Sequence, residues 1–400
     1  MRIVDVNEFY SPTGGGVRTY CDRKMAILAE MGHELIVVAP GSEDRVEERA
    51  GGGSIVYVRS PRMPFDANYG LFWDEAAIHA VLDRYDPDVI ENCSPWRAAW
   101  FVLDWRGRAI RSFFMHNDNM EAYPKRWLGR VASPERIEHA FAWYDRYTDR
   151  FLRRYDTVVT NGPATTARML ARGVRVDATM TLGIERRYFS PTLRNEALRV
   201  ALLDQCGLPP SAHLLLGIGR HHAEKRWPLV IDAVLRAGAT LPVGLVILGQ
   251  GLDTKSLERH IGDSPHIRLF RPVYDRERLA EIMASVDAFI HGNDTETFGL
   301  VGYEALACGA PLIVPDAGGM AALAGQAYAE TYRGGDGRDC ADAILRFFAR
   351  DPTKVRNAAI DAAAKVRSDV DHATLLVDHY AQVIAAKGCQ SDASVQRERR

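Results

Sequence analysis

The stretch Glu296-Thr-Phe-Gly-Leu-Val-Gly-Tyr-Glu304, continued by Ala-Leu-Ala-Cys-Gly-Ala-Pro311 and an apolar run, is the most informative part of the sequence. Its pattern predicts a loop, a helix beginning near Gly299 and then a buried strand. The N-terminus of such a helix presents free backbone N–H groups and a positive dipole end, which favour an anion. Glu304 lies about two turns beyond Glu296, where its carboxylate can accept hydrogen bonds from ligand hydroxyls. We expect an anionic, hydroxyl-bearing ligand here; an amphipathic helix with a solvated Glu304 is the alternative.

Outside this stretch, short apolar runs alternate with longer amphipathic segments, which is typical of parallel sheets covered by helices. In the first half the pattern predicts strands at 2–6, 34–39, 54–58, 88–91, 109–115, 156–160 and 178–182. In the second half it predicts strands at 213–218, 243–248, 266–270, 288–291 and 311–314. Ligands of such sheets bind beyond the carboxyl ends of the strands, so the loops that follow the strands are the candidate sites.

The 400 residues are about the right length for two domains. The periodicity lapses and a proline appears within residues 183–195, so we place the boundary there. The predicted organisation is an N-terminal α/β domain over 1–190 and a C-terminal α/β domain over 191–370. Residues 371–388 are expected to form a helix that packs back toward the N-terminal domain, and residues 389–400 a polar, disordered tail.

The composition excludes several classes of protein. Fifty basic against 52 acidic residues give a formal charge of −2, whereas a nucleic-acid-binding domain usually shows a basic excess. The six cysteines are far apart and form no C-x-x-C pair, which favours a reducing compartment over a disulfide framework. No apolar run approaches the roughly 18 residues of a spanning helix, and early charges at Asp5 and Glu8 exclude a signal peptide. We expect a cytoplasmic protein that binds no nucleic acid and can touch a membrane without crossing it.

The pair of glutamates, with Glu-Thr-Phe-Gly-Leu at its start and Glu-Ala-Leu-Ala-Cys-Gly-Ala-Pro at its end, closely resembles the E-x7-E donor signature of retaining glycosyltransferases of family 4. Members of that family have the GT-B fold, two Rossmann-like doubly wound α/β domains with an interdomain cleft. The resemblance implies that residues 1–190 form the acceptor-side domain and residues 191–370 the nucleotide-sugar donor domain. The resemblance implies that Glu304 holds the ribose hydroxyls of a sugar nucleotide and that Glu296 contacts the donor sugar. It further implies that the backbone of Phe298, Gly299 and Leu300 meets the diphosphate.

Two other loops match the family in the expected order. Gly219-Arg220-His-His-Ala-Glu-Lys225 resembles its G-R-x4-K element, and Arg220 and Lys225 would neutralise a diphosphate leaving group. Near the N-terminus, Gly15 and Gly16 follow the first strand and resemble the glycine loop that faces the donor phosphates. The fingerprint of a nicotinamide enzyme fails there, because no third glycine follows at the required spacing.

Two further residues are candidates with open alternatives. His116 lies at the end of a predicted strand, where many family members carry a histidine that contacts the donor sugar; a structural histidine is the alternative. Gly249, in Leu-Gly-Gln-Gly251, resembles the glycine turn beneath the nucleotide, although a plain β-turn accounts for it equally well.

Three positions depart from the family pattern. Arg271 stands where glycine is common, close to the expected base site, and this leaves the identity of the base open. His291-Gly292 replaces a frequent Pro-Ser, and Ala322 replaces a usual glutamate.

The resemblance implies transfer of a hexose from a UDP- or GDP-linked sugar to a hydroxyl of a lipid, a lipid-linked glycan or a polysaccharide precursor, with an α-glycosidic bond as product. No protein nucleophile is evident, so the nucleotide is expected to depart from the front face through an oxocarbenium-like state. No carboxylate cluster suggests a metal, and no cofactor is expected beyond the sugar nucleotide itself. The alternatives are a nucleotide-sugar epimerase of the same fold, a non-catalytic sugar-nucleotide-binding subunit and a Rossmann dehydrogenase.

Residues 121–155 are both basic and aromatic. The segment contains eight basic and five acidic residues, and seven aromatic residues are interleaved with them before Tyr155. The segment contains a predicted helix at 136–154. Such a helix suits the surface of an anionic membrane, or alternatively packs its apolar side on the core and leaves a solvated basic side. The first interpretation predicts peripheral membrane association and a lipid or lipid-linked acceptor.

Overall fold

The computed structural model describes residues 1–11, 16–63, 66–116, 132–296 and 298–398, together with positions 124 and 128. These residues form two compact units. Unit 1 comprises Met1–Gly183 with Asp369–Arg400, and unit 2 comprises Ile184–Ser368. The chain therefore leaves unit 1 inside the predicted boundary segment 183–195, although earlier than the expected domain end at 190, and it returns to unit 1 at Asp369.

Unit 1 is built on a largely parallel sheet. Its strands are β1 (Arg2–Val6), β2 (Glu34–Gly41), β3 (Arg45–Glu48), β4 (Ser54–Arg59), β5 (Arg62–Met63), β6 (Asp66–Gly70), β7 (Val89–Asn92), β8 (Ile110–Met115), β9 (Thr157–Thr160) and β10 (Ala178–Thr179). The order across the main sheet is β10-β9-β8-β7-β1-β2-β4-β3, in which β3 alone runs antiparallel to its neighbour. Strands β5 and β6 pair only with each other.

The helices of unit 1 alternate with these strands. They are α1 (Gly16–Glu30), α2 (Glu75–Tyr85), α3 (Arg97–Asp104), α4 (Pro134–Leu152) and α5 (Pro163–Ala171). Local signals fix their ends: Asp74 caps α2 by accepting from the Ala77 N–H, and Pro134 and Pro163 begin α4 and α5. Apolar residues of the sheet and of α2 to α4, among them Val6, Phe101 and Phe151, form the core.

Unit 2 contains a six-stranded, entirely parallel sheet. Its strands are β11 (His213–Ile218), β12 (Val243–Leu248), β13 (Ile267–Phe270), β14 (Ala288–Ile290), β15 (Leu312–Pro315) and β16 (Ala329–Tyr332), in the order β13-β12-β11-β14-β15-β16. Helices cover both faces, so the strands are apolar on both sides: Leu214 and Leu216 pack in one cluster, and Leu215 packs in the other.

The helices of unit 2 are α6 (Glu196–Gln205), α7 (Trp227–Gly238), α8 (Thr254–Ile261), α9 (Arg276–Ser285), α10 (Leu300–Ala307), α11 (Gly318–Leu323), α12 (Gly337–Phe348) and α13 (Pro352–Ala363). The last helix of the chain, α14 (Asp369–Glu398), belongs to unit 1. Its Tyr380 hydroxyl donates to Glu91 at 2.5 Å, and its His372 Nε2 lies 3.0 Å from the Tyr20 hydroxyl.

The prediction of a disordered tail at 389–400 is wrong for residues 389–398, which continue α14. The polar composition suggested disorder, but the segment contains no proline and no strong helix breaker, so the helix can propagate beyond Gly388.

In each sheet the order in which successive strands are added reverses at one place. In unit 1 the chain proceeds from β1 to β2 and β4 on one side and then to β7, β8 and β9 on the other. In unit 2 it proceeds from β11 to β12 and β13, and then to β14, β15 and β16. We call the carboxyl end between β1 and β7, and that between β11 and β14, the switch points. Loops diverge at such places and leave a crevice, which is where ligands of doubly wound sheets bind.

Candidate active site

The loops at the switch point of unit 2 are packed closely together. The Gly249 N–H donates to the Phe270 carbonyl, and a Cβ at Gly249 would lie only 2.0 Å from the carbonyl oxygen of Gly219. Glycine is therefore required where the loop after β12 meets the loop after β11. The Trp227 indole N–H donates to the Arg220 carbonyl at 3.0 Å, which fixes the loop that carries Arg220 and Lys225.

Lys225 and Glu296 are brought together at this switch point, from the loops after β11 and β14. The Lys225 ammonium lies 2.5 Å from Glu296 Oε2, and the side chains are 15% and 21% exposed. Asn293 Nδ2 approaches the same oxygen at 3.4 Å, and His291 Nε2 lies 3.6 Å from it. Burial alone would raise the pKa of Glu296, but the His291 ring and the Lys225 charge hold it well below its ordinary range.

Arg220 occupies a more open place in the same loop. Its side chain is 61% exposed, and its guanidinium contacts Glu224 at 3.0 Å. An exposed pair of this kind contributes little to stability, so Arg220 can change partner at small cost. Lys225 is held by the fold, whereas Arg220 lies at the surface of the loop.

Helix α10 begins beside this pair. Gly299 has a φ of 76°, a left-handed conformation that a side chain rarely adopts, and a Cβ there would lie 2.4 Å from Met320 Sδ. The ring of Phe298 stacks on Tyr303 with centroids 4.4 Å apart. Leu300 opens the helix, and the first N–H groups of a helix have no intrahelical acceptor. The place where the sequence predicts an anion site thus consists of the glycine turn and the start of α10.

Glu304 is buried within α10 and is bound by an arginine that the sequence did not single out. Arg276 Nη2 donates to Glu304 Oε1 at 2.7 Å, and its Nε donates to Glu185 Oε2 at 2.9 Å. The guanidinium also lies over the Phe189 ring at 4.8 Å. Arg276 therefore bridges two carboxylates and fixes the orientation of Glu304 by a charge-assisted hydrogen bond.

His116 lies in unit 1, just after β8, and is 9% exposed. Its ring packs against Phe114 and edge-on against Tyr20, with centroids 4.5 and 5.0 Å away, while Nε2 is buried without a hydrogen-bond partner among the described residues. Burial, with a smaller contribution from the charge of Lys24, lowers the pKa of His116 to about 3. The imidazole is therefore neutral at pH 7.

The other positions that the sequence singled out lie in several different elements. Gly16 is the first residue of α1, whereas Gly15 lies outside the described residues. Of the three departures from the family pattern, Arg271 is exposed directly after β13, His291 is buried beside Glu296, and Ala322 lies in α11.

Helix α4 shows both sides that the sequence suggested for it. Tyr144 and Phe151 are buried, whereas an exposed stripe follows at helical spacing and comprises Arg136, His139, Trp143, Arg146 and Arg150. Trp143 is 57% exposed. The three basic residues Lys125, Arg126 and Arg130 lie outside the described residues.

Within the described ranges, no three His, Cys, Asp or Glu side chains are grouped so that they could hold a metal ion. Likewise, none of the described helices is both long enough and apolar enough to cross a membrane.

Two family models match the chain on either side of the boundary between the units. "Glycosyltransferase Family 4" matches residues 14–180, and "Glycosyl transferases group 1" matches residues 212–350. The chain belongs to glycosyltransferase family 4 and has the GT-B fold. It is an enzyme that transfers a hexose from a nucleotide sugar, and the comparisons give no support to an epimerase.

Two relatives are similar to this chain over most of their length. A GDP-mannose-dependent alpha-(1-6)-phosphatidylinositol dimannoside mannosyltransferase of Mycobacterium tuberculosis is 29% identical over 317 residues, which cover 78% of this chain and 79% of the relative. A GDP-mannose-dependent alpha-mannosyltransferase of Mycolicibacterium smegmatis is 27% identical over 348 residues, covering 85% and 86%.

Solved structures share the fold at lower identity. Sucrose-phosphate synthase from Thermosynechococcus elongatus superposes with a TM-score of 0.74 at 19% identity and covers 96% of this chain and 100% of that one. The Anabaena protein HepE in complex with UDP superposes with a TM-score of 0.71 at 16% identity, with the same coverage.

Proposed function

We propose that the chain is a GDP-mannose-dependent α-mannosyltransferase that acts on a lipid-linked acceptor. Two kinds of observation support this. The relatives above use GDP-mannose, and one of them acts on a phosphatidylinositol dimannoside. The chain also presents a lysine and a helix start at one switch point, as the diphosphate of a sugar nucleotide requires.

In unit 2 the proposed roles are supported by the geometry of each residue. Lys225, Arg220 and the first N–H groups of α10, after Phe298 and Gly299, bind the diphosphate. Glu304, oriented by Arg276, accepts hydrogen bonds from the ribose hydroxyls. Glu296 contacts the hydroxyls of the donor sugar. Gly249 keeps the turn beneath the nucleotide free of a side chain.

In unit 1, His116 is proposed to contact the donor sugar through Nε2. Its imidazole is buried and neutral, so it can hydrogen-bond a hydroxyl without adding a positive charge beside the oxocarbenium-like state. Gly15 and Gly16 are proposed to line the phosphate side of the donor.

The leaving group is stabilised by charges that are already in place. Glu296 holds the Lys225 ammonium before the reaction begins, so little reorganisation is needed when negative charge develops on the departing diphosphate. The departing phosphate accepts the proton of the acceptor hydroxyl on the same face, which retains the α configuration.

Since Lys225, Arg220 and α10 supply the positive charge, we propose that the enzyme needs no metal ion. Activity in excess EDTA, on the order of 10 mM, should stay within about 2-fold of that of the untreated enzyme. Chelation should have no larger effect, because no metal ion takes part in stabilising the leaving group. Loss of activity in EDTA, with recovery on adding Mg²⁺ or Mn²⁺, would contradict this proposal.

We also propose that the exposed stripe of α4 binds an anionic membrane surface, where each cation near the lipid contributes about 1 kcal/mol. Vesicles with anionic lipid should co-sediment the wild-type protein more than neutral vesicles do. Changing Arg136, Arg146 and Arg150 together to Ser should remove the difference. A matched change of Arg333, Arg338 and Arg346 in unit 2 is the control, and equal binding of the wild type to both vesicle types would contradict the proposal.

The experiment that tests the proposed reaction compares donors. GDP-mannose, UDP-glucose and ADP-glucose are supplied with vesicles that contain phosphatidylinositol dimannoside, and the product linkage is read by NMR. The proposal predicts transfer from GDP-mannose with an α linkage. Transfer from UDP-glucose in its place would assign a uridine donor, and a β linkage would exclude the retaining mechanism.

A further inference from the structure

His116 is packed among aromatic rings that come from three different elements of unit 1. Tyr20 belongs to α1, Phe114 to β8 and His372 to α14, and His116 follows β8 directly. All four residues are buried, with at most 9% of any of them exposed. We call Tyr20, Phe114, His116 and His372 the ring cluster.

Each ring of the cluster contacts at least two of the others. The His116 ring lies 4.5 Å from the Phe114 ring and 5.0 Å from the Tyr20 ring between centroids. His372 meets the same two rings edge-on, with centroids 6.0 Å from Phe114 and 5.6 Å from Tyr20. Ring pairs at such separations favour particular relative orientations, so displacement of one ring displaces its neighbours. The orientation of His116 is therefore set by the whole cluster.

Hydrogen bonds fix the part of the cluster that belongs to α14. His372 Nδ1 lies 3.1 Å from the Thr181 carbonyl oxygen, which can only accept, so Nδ1 carries the proton. Burial, with a smaller contribution from the charge of Lys24, lowers the pKa of His372 to about 4, so the ring is neutral at pH 7 and Nε2 is an acceptor. The Tyr20 hydroxyl, 3.0 Å away, therefore donates to Nε2.

Helix α14 is itself anchored to the rest of unit 1 on both sides of His372. About one turn before it, Asp369 accepts from Arg23 Nη2 of α1 at 2.8 Å, and both side chains are less than 20% exposed. About two turns after it, the Tyr380 hydroxyl donates to Glu91 of β7 at 2.5 Å. His372 is thus supported by a helix that is bound to both α1 and the sheet.

His116 differs from the other polar members of the cluster. Its Nε2 is buried and has no hydrogen-bond partner among the described residues, whereas Tyr20 and His372 satisfy each other. The packing therefore fixes the plane of the imidazole while leaving Nε2 available to a ligand. A group that contacts a substrate at a defined point needs such support, because a displacement of about 1 Å can cost on the order of 10²-fold in rate.

We infer that Tyr20 and His372 are positioning residues, through which helix α14 keeps the His116 imidazole in the orientation that meets the donor sugar. The inference rests on the proposed function for the role of His116. It assigns no contact with the substrate to Tyr20 or His372, because both act through the ring of His116.

The test begins with His372→Leu, which keeps a side chain of similar size but removes the acceptor of the Tyr20 hydroxyl. Transfer from GDP-mannose should show a kcat that is lower by roughly 10- to 100-fold. The dissociation constant for GDP should stay at the wild-type value, since GDP carries no sugar for His116 to contact. His372→Gln, whose amide oxygen can accept from Tyr20, should restore most of the activity. Tyr20→Phe keeps the ring and should lower kcat by a smaller factor of about 3 to 10.

A double-mutant cycle separates positioning from general support of the fold. In the background of His116→Ala, His372→Leu should lower the residual kcat no further, because no imidazole is left to displace. A residue that merely stabilises unit 1 would lower kcat by the same factor in both backgrounds.

His379→Leu is the matched control on the same helix. His379 lies about two turns beyond His372, and its Nε2 is 2.8 Å from the Thr157 hydroxyl, so the variant removes a hydrogen bond of the same kind. It should lower the melting temperature about as much as His372→Leu does and leave kcat at the wild-type value.

NMR of ring-labelled histidine follows the orientation of His116 without turnover. The Cε1–H signal of His116, assigned by its absence in His116→Ala, should move in His372→Leu and stay in place in His379→Leu. An unchanged signal in His372→Leu would overturn the inference, as would equal losses of kcat in the two backgrounds or an equal loss in His379→Leu. A wild-type kcat for His116→Ala would instead refute the proposed role of His116 in transfer, and the NMR comparison would then decide whether α14 positions the ring.

Discussion

The two switch points share one strand order, but the side chains that their loops present differ in charge. In unit 2 the loops present Lys225, Arg220 and the start of α10, an arrangement of positive charge that suits a diphosphate. In unit 1 the corresponding loops present Glu8, a buried side chain whose pKa desolvation raises to about 7, and a neutral His116, while the buried Lys24 is paired with Glu91 at 2.5 Å. The same doubly wound strand order thus carries a lysine and an arginine at one switch point and a buried carboxyl group and a neutral imidazole at the other, and the loops supply the difference.

Among the variants that test this comparison, Lys225→Ala is expected to have the largest effect on activity. Loss of one preorganised charge at a developing anion typically costs about 10²–10³ in rate, so kcat should fall by that factor. Lys255→Ala, an exposed lysine on α8, is the matched control and should leave steady-state kinetics unchanged. A normal kcat for Lys225→Ala would show that Lys225 does not stabilise the departing diphosphate.

A smaller effect is expected for Arg276→Met. Without the guanidinium, Glu304 loses its 2.7 Å partner and its fixed orientation, so the dissociation constant for GDP should rise about 10-fold or more. Arg278→Met removes an exposed pair with Glu281 on the same helix and should change GDP affinity little. Calorimetry on the two variants makes the comparison, and equal affinities would show that Arg276 does not position Glu304.

A different kind of effect concerns the stability of unit 1 in acid. His116 has a folded pKa of about 3 against an ordinary value of 6.5, so between these values the unfolded state binds the extra proton. Stability is therefore present above pH 6.5 and is lost as pH falls. Between pH 6 and 4 the free energy of unfolding of the wild type should therefore fall faster than that of His116→Gln, by up to about 1.4 kcal/mol per pH unit. Denaturant unfolding at several pH values measures it, and parallel curves for the two proteins would contradict a buried neutral imidazole.

The strands were the most predictable part of the fold. The predicted strands at 2–6, 213–218 and 243–248 match the observed bounds, because apolar runs buried on both faces give an unambiguous pattern. Strand β3 escaped prediction because its sequence, Arg-Val-Glu-Glu, is mostly exposed and charged. Strand β16 escaped because Ala329–Tyr332 mixes buried and exposed residues at the edge of its sheet.

The location of the candidate site was predictable where a short motif defines it. Glu296, Gly299 and Glu304 are close in sequence, and Lys225 belongs to a recognisable loop, so their proposed roles come from the resemblance. The contacts of Arg276 and Glu185 could not be predicted, because each lies far in sequence from its partner. No local pattern distinguishes Arg276 from its charged neighbours, and only the folded chain shows that it bridges Glu185 and Glu304.

The central claim is that unit 2 binds the nucleotide through the ribose-directed carboxylate of Glu304, and isothermal titration with GDP and with 2′,3′-dideoxy-GDP tests it most directly. The wild type should bind GDP more tightly than the dideoxy nucleotide, whereas Glu304→Gln should bind both with the same weak affinity. Glu277→Gln, which changes an exposed carboxylate on α9, should keep the wild-type preference. A Glu304→Gln variant that still prefers GDP by the wild-type factor would contradict the account.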